Sequence, residues 1–317
     1  MKVIEHLAKA KNPLISFEII PPKRGGDIKA LLEVLEDIVK YNPPFIDITS
    51  HAAEVVYEES SGGSLQMRIK RKRPGTLGIC ALIQNKYNID AVPHVICNGF
   101  TKEETEDFLI ELHYLGIDNV LAIRGDESGY KKKTSFGRSI NEYASDLVGQ
   151  IKDMNHGKYL EDSLLNADPT NFCVGISGYP EKHFEAPNQD TDIKFTKLKA
   201  DKGADYIVTQ MFFDNKKYYN YVKSCREKGI SIPIIPGLKL ITNKTHISNL
   251  PKNFYIDIPA DLVDEVLSAK PEHVLEVGVE WAAKQVEDLL NNNVPAIHFY
   301  IMQNAKPITK LMDKLRI

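Results

Sequence analysis

The sequence is poor in the features that most often announce a function. Its 4 cysteines, Cys80, Cys97, Cys173 and Cys225, are widely spaced and form no CxxC pair. Neither a zinc site nor a disulfide framework is expected. No HExxH run or His-Cys cluster marks a metal. No GxGxxG opens a helix after a strand, so a Rossmann dinucleotide turn is unsupported, and no Walker A loop is present. No stretch reaches the length of a membrane span, and the amphipathic opening MKVIEHLAKAKNP lacks an apolar signal core. The net charge of -3 sets up no field that would attract nucleic acid or an anionic membrane. These absences predict a cytoplasmic protein with no resident metal, no nucleic-acid partner and no membrane. Two local basic runs, RIKRKRP (68–74) and KKK (131–133), read as solvated loops.

What the chain does have is alternation. LISFEII (14–20) reads as a strand, and DIKALLEVLEDIVKYN (27–42) carries apolar residues at helical spacing behind an Asp. FIDITS (45–50) and AVPHVIC (91–97) are the next strands, with a candidate hairpin about Gly62-Gly63 and a helix from residue 74 between them. Strands follow at 119–125, 172–178, 205–213, 233–239 and 296–302, each separated from the next by a helical segment. Strand–helix alternation predicts a parallel sheet with right-handed crossovers. Eight units in 317 residues predict a single-domain α/β (β/α)8 TIM barrel over residues 1–317, lengthened by inserted loops at 57–73, 155–170 and 245–268. A doubly wound open sheet is the alternative.

Glu18 is the first oddity, a carboxylate between Phe17 and Ile19 in an otherwise apolar run that ends at Pro21-Pro22. Alternation alone makes it a solvated residue on the outer face. A barrel makes it a residue near the C-terminal end of a strand, where such folds carry their chemistry. The other strand ends carry Thr49, His94, Arg124 with Asp126, Tyr179, Gln210, Lys239, and Gln303 with Asn304. If the barrel closes, carboxylates, an imidazole, a guanidinium and an amide converge on one mouth.

Several of these runs occur in a specific order: SFEIIPPK, VPHVIC, AIRGD, EYASDLV, GYPEKHFEAP, KADKGADYIVTQMFFD, IPIIPG and HFY. This set resembles the methylenetetrahydrofolate reductase family from about residue 12 to 303, in the form of its catalytic barrel alone. The resemblance implies a flavoprotein of one-carbon metabolism and methionine biosynthesis. In it NADH or NADPH reduces FAD, and the reduced flavin then reduces 5,10-methylenetetrahydrofolate to 5-methyltetrahydrofolate. The same resemblance assigns Glu18 as general acid and Asp126 as a second catalytic carboxylate near flavin and folate. It places Ala52, His94, Arg124, Gly125, Asp126, Tyr143, Ala144, Tyr179, His183, Ala186, Asp192 and Lys199 at the FAD. It places Thr49, Asp126 and Gln210 at the substrates, and it implies a homo-oligomer.

The chain departs from the family pattern at several points. Ser50 stands in place of an aromatic flavin contact, and Phe195 and Leu198 replace polar positions. Leu240 replaces a proline, the 131–142 loop has an unusual length, and Asn304 replaces an arginine that faces folate. Two rival readings remain open at this stage. One is a Schiff-base aldolase on Lys239, which ends a strand as such a lysine must. The other is a flavin- or folate-binding protein with a decayed site.

Overall fold

The computed structural model describes residues 1–60, 62–125 and 136–316. Its eleven strands are β1 (Leu14–Ile19), β2 (Phe45–Ile48), β3 (Glu54–Glu59), β4 (Leu65–Lys70), β5 (Asp90–Ile96), β6 (Asn119–Ile123), β7 (Cys173–Gly178), β8 (Tyr206–Thr209), β9 (Ile234–Ile235), β10 (Gly237–Leu238) and β11 (Ala296–Met302). All but β3 and β4 join one sheet in the order β10-β11-β1-β2-β5-β6-β7-β8-β9. Every pairing in that sheet is parallel.

Pro236 explains why nine segments make eight strands. It has no N–H to donate, so the strand is interrupted there. β9 before it pairs with β8 (Val208↔Ile235), and β10 after it pairs with β11 (Gly237↔His298). The two halves therefore close the sheet on itself, which excludes the doubly wound alternative and gives the (β/α)8 barrel.

The helices are α1 (Val3–Lys9), α2 (Ile28–Val39), α3 (Thr76–Leu82), α4 (Lys102–Tyr114), α5 (Ala144–Asn155), α6 (Gln189–Asp201), α7 (Asn215–Glu227), α8 (His246–Phe254), α9 (Ala260–Ser268), α10 (Val274–Asn291) and α11 (Lys306–Leu315). They form because their sequences supply both an apolar stripe and a start signal. In α2, Leu31, Val34, Leu35 and Ile38 are buried at spacings of three and four, and the Asp27 carboxylate accepts the Lys29 N–H at 2.9 Å. In α4, Thr101 and Glu104 make a reciprocal capping box, at 3.2 and 2.8 Å. Among the described residues no helix is long and apolar enough to cross a membrane.

Strand alternation sorts side chains into two cores. Phe17, Ile19, Ile46 and Ile48 point outward into the layer shared with the helices. Phe45, Val92, Leu121, Cys173, Tyr206, Val208 and Ile235 point into the lumen and fill its lower part. α1 closes that lower end: Val3 is wholly buried in the lumen cluster, and its N–H is taken by Asn119 Oδ1 at 2.8 Å.

The inserted stretches resolve differently. The 57–73 insertion is the antiparallel hairpin β3–β4, as its paired glycines indicate. The basic run 68–74, expected as a solvated loop, is instead strand and anchor. Arg68 and Lys70 lie on β4 and pair with Glu58, Lys72 pairs with Glu54, and Arg73 Nη1 donates to Pro21 O at 2.6 Å. The 245–268 insertion is α8 and α9. The lysines of the other basic run, 131–133, lie outside the described residues.

Candidate active site

The mouth of the barrel is built outward from Glu18. Residues Ser16 and Glu18 face the lumen while Phe17 and Ile19 face the helices, so the carboxylate is turned into the barrel. Directly after it the register with β11 slips: Glu18 pairs with Tyr300, but Ile19 pairs with Met302. Such a bulge re-aims the strand at its end. Met302 takes up the slack with φ at +62°. Glu18 is 8% exposed. Burial pushes its carboxyl up to about 7, against opposing pulls from His94 and Lys239. It therefore holds a proton near neutral pH.

Around it the lumen is polar, which is unusual for a barrel core. His94 Nε2 lies 3.4 Å from Glu18 Oε2 and 3.8 Å from Asp47 Oδ2. Burial lowers the basicity of His94, although Glu18 pulls the other way. Asp47 sits beside Glu18 in the parallel register, is wholly buried and has no hydrogen-bond partner among the described residues. Burial pushes its carboxyl well above its ordinary range. Below them Ser16 Oγ contacts His298 Nδ1 at 2.9 Å. To the side, Tyr300 donates its hydroxyl to Thr209 O at 2.6 Å.

Glycines make room for these rings. A Cβ at Gly175 would strike the Tyr206 ring, and one at Gly237 would lie 2.7 Å from the Tyr300 ring. Asp47, His298 and Tyr300 were not singled out in the sequence. Asp47 had a readable signal, since it repeats in FIDI the pattern that made Glu18 stand out.

The rim opposite Glu18 gathers most of the remaining expected residues. Arg124 and Gly125 follow β6, and the Arg124 guanidinium donates to Glu185 at 2.7 Å. Gly125 has φ at +85°, and a Cβ there would press on Ile96 at 3.3 Å, so glycine suits this turn. Tyr179, His183 and Ala186 lie on the β7–α6 connection, where the Tyr179 and His183 rings meet edge to face at 4.8 Å. Asp192 and Lys199 are on the inner face of α6. Lys199 is buried and gives its ammonium to Ser177 O at 2.7 Å, and burial lowers its pKa to about 8. Asp192 is buried with Oδ2 unpartnered among the described residues, and burial raises its pKa. Tyr143 and Ala144 open α5, where Asp146 accepts the Tyr143 N–H at 3.0 Å.

On the Glu18 side, Thr49 continues β2, and its N–H reaches Ile19 O at 3.1 Å while its hydroxyl is buried without a partner among the described residues. Ala52 packs against Gly99 so closely that a Cβ at Gly99 would lie 3.0 Å away. Gln210 follows β8, with Oε1 turned back onto the Met211 N–H at 2.9 Å. Asp126 lies outside the described residues. Lys239 is largely buried, with its ammonium on Tyr300 O at 3.1 Å, and burial lowers its pKa. It lines a cavity of about 200 Å³ together with Thr242, His246, Tyr300 and Asn304.

Comparison with known proteins decides the family. The methylenetetrahydrofolate reductase family model matches residues 2–316. The chain belongs to the methylenetetrahydrofolate reductase family. It is 31% identical over 303 residues to methylenetetrahydrofolate reductase 1 of Schizosaccharomyces pombe, covering 95% of this chain and 45% of that protein. It is 26% identical over 294 residues to 5,10-methylenetetrahydrofolate reductase of Salmonella typhimurium, covering 92% of this chain and 87% of that protein. The chain spans about half the length of the eukaryotic relatives it matches.

Among solved structures, an uncharacterized protein from Clostridium thermocellum shares the fold with a TM-score of 0.59 at 13% identity, with 99% of each chain covered. That protein is described as binding two copies of 5-methyl-5,6,7,8-tetrahydrofolic acid. At this identity the likeness supports the barrel and nothing finer.

Proposed function

We propose that the chain catalyses the reduction of 5,10-methylenetetrahydrofolate to 5-methyltetrahydrofolate by NADH or NADPH, with FAD as carrier and the two substrates reacting in turn. Family membership supports the reaction class. The single observation that carries the mechanism is Glu18, a carboxyl at a strand end whose burial raises its pKa to about 7. We read residues 1–317 as one catalytic barrel domain working in the cytoplasm, in one-carbon metabolism and methionine biosynthesis.

The residues present fit a flavin dinucleotide. Small side chains at Ala52, Gly125 and Ala186 let a large ligand approach the backbone. Thr49 Oγ1 and Asp192 Oδ2 are buried polar atoms with no partner among the described residues, and such groups are normally satisfied. Arg124 and Lys199 supply positive charge for a pyrophosphate, and Tyr179 and His183 supply aromatic surface. His94, Tyr143, Ala144 and Asp126 complete the set by family resemblance. When bound, FAD would supply hydride transfer from the nicotinamide to the one-carbon unit.

The chain's own contribution is positioning and a proton. Opening the bridge of the folate makes N10 a leaving group, and its departure is easier if it is protonated as the bond breaks. Glu18 holds that proton because burial disfavours its anion. Burial lowers the basicity of His94, which weakens its pull on that proton. Lys239, held on Tyr300 O, offers a cation that steadies the carboxylate left behind. Thr49, Gln210 and Asp126 would orient the substrates, by family resemblance.

A visible spectrum tests this reading. The purified protein is expected to show a flavin band near about 450 nm, to bleach under anaerobic NADH or NADPH, and to recover on adding methylenetetrahydrofolate. Absence of a flavin band even after adding FAD would overturn the proposal and move weight to Lys239 chemistry.

A further inference from the structure

The cavity of about 200 Å³ at the ends of β10 and β11 has a one-sided chemistry. Lys239, Thr242, His246 and Asn304 bring polar side chains to it, and among the described residues no aspartate or glutamate lines it. The four share one property: each has a hydrogen left to donate. His246 Nδ1 accepts the Thr242 N–H at 3.4 Å. Burial, helped by the Lys239 charge, lowers the His246 pKa to about 4, so the ring is neutral and carries its hydrogen on Nε2. Asn304 Oδ1 accepts the Lys306 N–H at 3.1 Å, which leaves the amide hydrogens. Thr242 Oγ1 accepts from the Asn243 amide at 3.4 Å, which leaves its own hydroxyl hydrogen. Lys239 gives one of its three hydrogens to Tyr300 O at 3.1 Å. Hydrogens gathered around one cation suit an anion.

Its position says which anion. Tyr300 lines the cavity and is the register partner of Glu18 across β1 and β11. The Lys239 charge acts on Glu18 on one side and on His246 on the other. The cationic residues assigned to the flavin pyrophosphate, Arg124 and Lys199, belong instead to the ends of β6 and α6. The volume is below the about 300–1,000 Å³ of a site that encloses a whole small molecule, so it fits one end of a larger substrate.

Resting on the folate reading above, we propose that this cavity receives the glutamate end of the folate, and that Lys239 is the residue that selects its carboxylate. The proton from Glu18 goes to N10. N10 carries the aminobenzoyl group, and that group carries the glutamate, so the acidic end of the substrate extends from beside Glu18. Lys239 has hydrogens for both tasks: it faces the Glu18 carboxylate at the reacting end and the substrate carboxylate in the cavity. The amide of Asn304 and the Nε2–H of His246 complete the cradle without adding charge. Leu240, Ile301 and Ile308 line the cavity as well, and their apolar surroundings strengthen the pairing of charges.

The test compares two substrates of the flavin-loaded enzyme. One is 5,10-methylenetetrahydrofolate. The other is 5,10-methylenetetrahydropteroate, which has the same pterin and aminobenzoyl groups and no glutamate. The wild-type protein is expected to favour the folate by about 10–100-fold in kcat/KM, the worth of a charge-assisted hydrogen bond. Lys239→Met should bring the two substrates to within about threefold of each other, with the loss falling on the KM for the folate. Any effect of the substitution on Glu18 acts on both substrates alike and cancels in their ratio.

The wild-type comparison needs no variant, so it stands even if Lys239→Met folds poorly. A wild-type enzyme that turns over both substrates equally well overturns the proposal. So does a Lys239→Met enzyme that keeps the wild-type preference, or one in which only the KM for NADH or NADPH rises. A flavin-loaded protein that reduces neither substrate refutes the folate reading itself, a result distinct from each of these.

Discussion

Glu18→Gln is expected to retain its flavin and to oxidise NADH or NADPH at close to the unaltered rate, while reduction of methylenetetrahydrofolate falls by about 10²–10⁴, the usual share of a positioned general acid. The asymmetry follows from what each half-reaction asks of residue 18. Hydride transfer from the nicotinamide needs no proton from this position. Breaking the bond to N10 does, and an amide has none of suitable acidity to give. Glutamine keeps the size and the hydrogen-bonding reach of the side chain, so the lumen around Asp47 and His94 should not repack. Stopped-flow measurement of the two half-reactions separately checks this. Equal loss in both would show that Glu18 shapes the site and does not supply the proton.

The second large effect is on the fold. Gly237 begins β10, at the seam that closes the barrel, and its N–H donates to Thr209 Oγ1 at 2.9 Å. A Cβ at this position would collide with the Thr209 carbonyl oxygen and come within 2.7 Å of the Tyr300 ring. Neither neighbour can yield easily. The carbonyl is backbone, and it already accepts the Tyr300 hydroxyl. Gly237→Ala is therefore expected to cost about 3 kcal/mol or more, seen as a fall in melting temperature of about 6 °C or more. Because Tyr300 pairs with Glu18 across β1 and β11, folate turnover in the surviving protein should suffer as well. A variant with an unchanged melting temperature would contradict the placement of the seam.

Why the barrel was legible in sequence, and parts of the site were not, has physical causes. Strand–helix alternation has strong local signals: Asp27 and Thr101 at helix starts, and β-branched runs bounded by Gly and Pro. The site residues announced themselves only where chemistry conflicted with local pattern, as with Glu18 inside an apolar strand. Asp47 carried the same conflict, but its four-residue strand is too short for alternation to say which face it shares with Phe45. His298 and Tyr300 belong to the lumen because of closure, a long-range event at Pro236 that no local window contains. The run 68–74 misled because its charges look solvated. They alternate with apolar or anchoring residues at a period of two, and the acids that neutralise Arg68, Lys70 and Lys72 lie on β3, across the turn. The assignments of Ala52, Tyr143 and Ala144 came from family resemblance and have no signal in residue chemistry.

The most direct test of the central claim is the pH dependence of a single turnover. Reduced enzyme is mixed anaerobically with saturating methylenetetrahydrofolate from about pH 5.5 to 9, and the return of the flavin absorbance is followed. Glu18 acts as an acid, and its folded-state pKa is raised to about 7. The active form therefore predominates below that pH, and the rate constant should be level there and then fall about tenfold per pH unit above it. Glu18→Gln should show a low rate with no such limb. A wild-type rate constant that is flat to about pH 9, or one that rises with pH, would contradict the assignment of Glu18 as the proton donor.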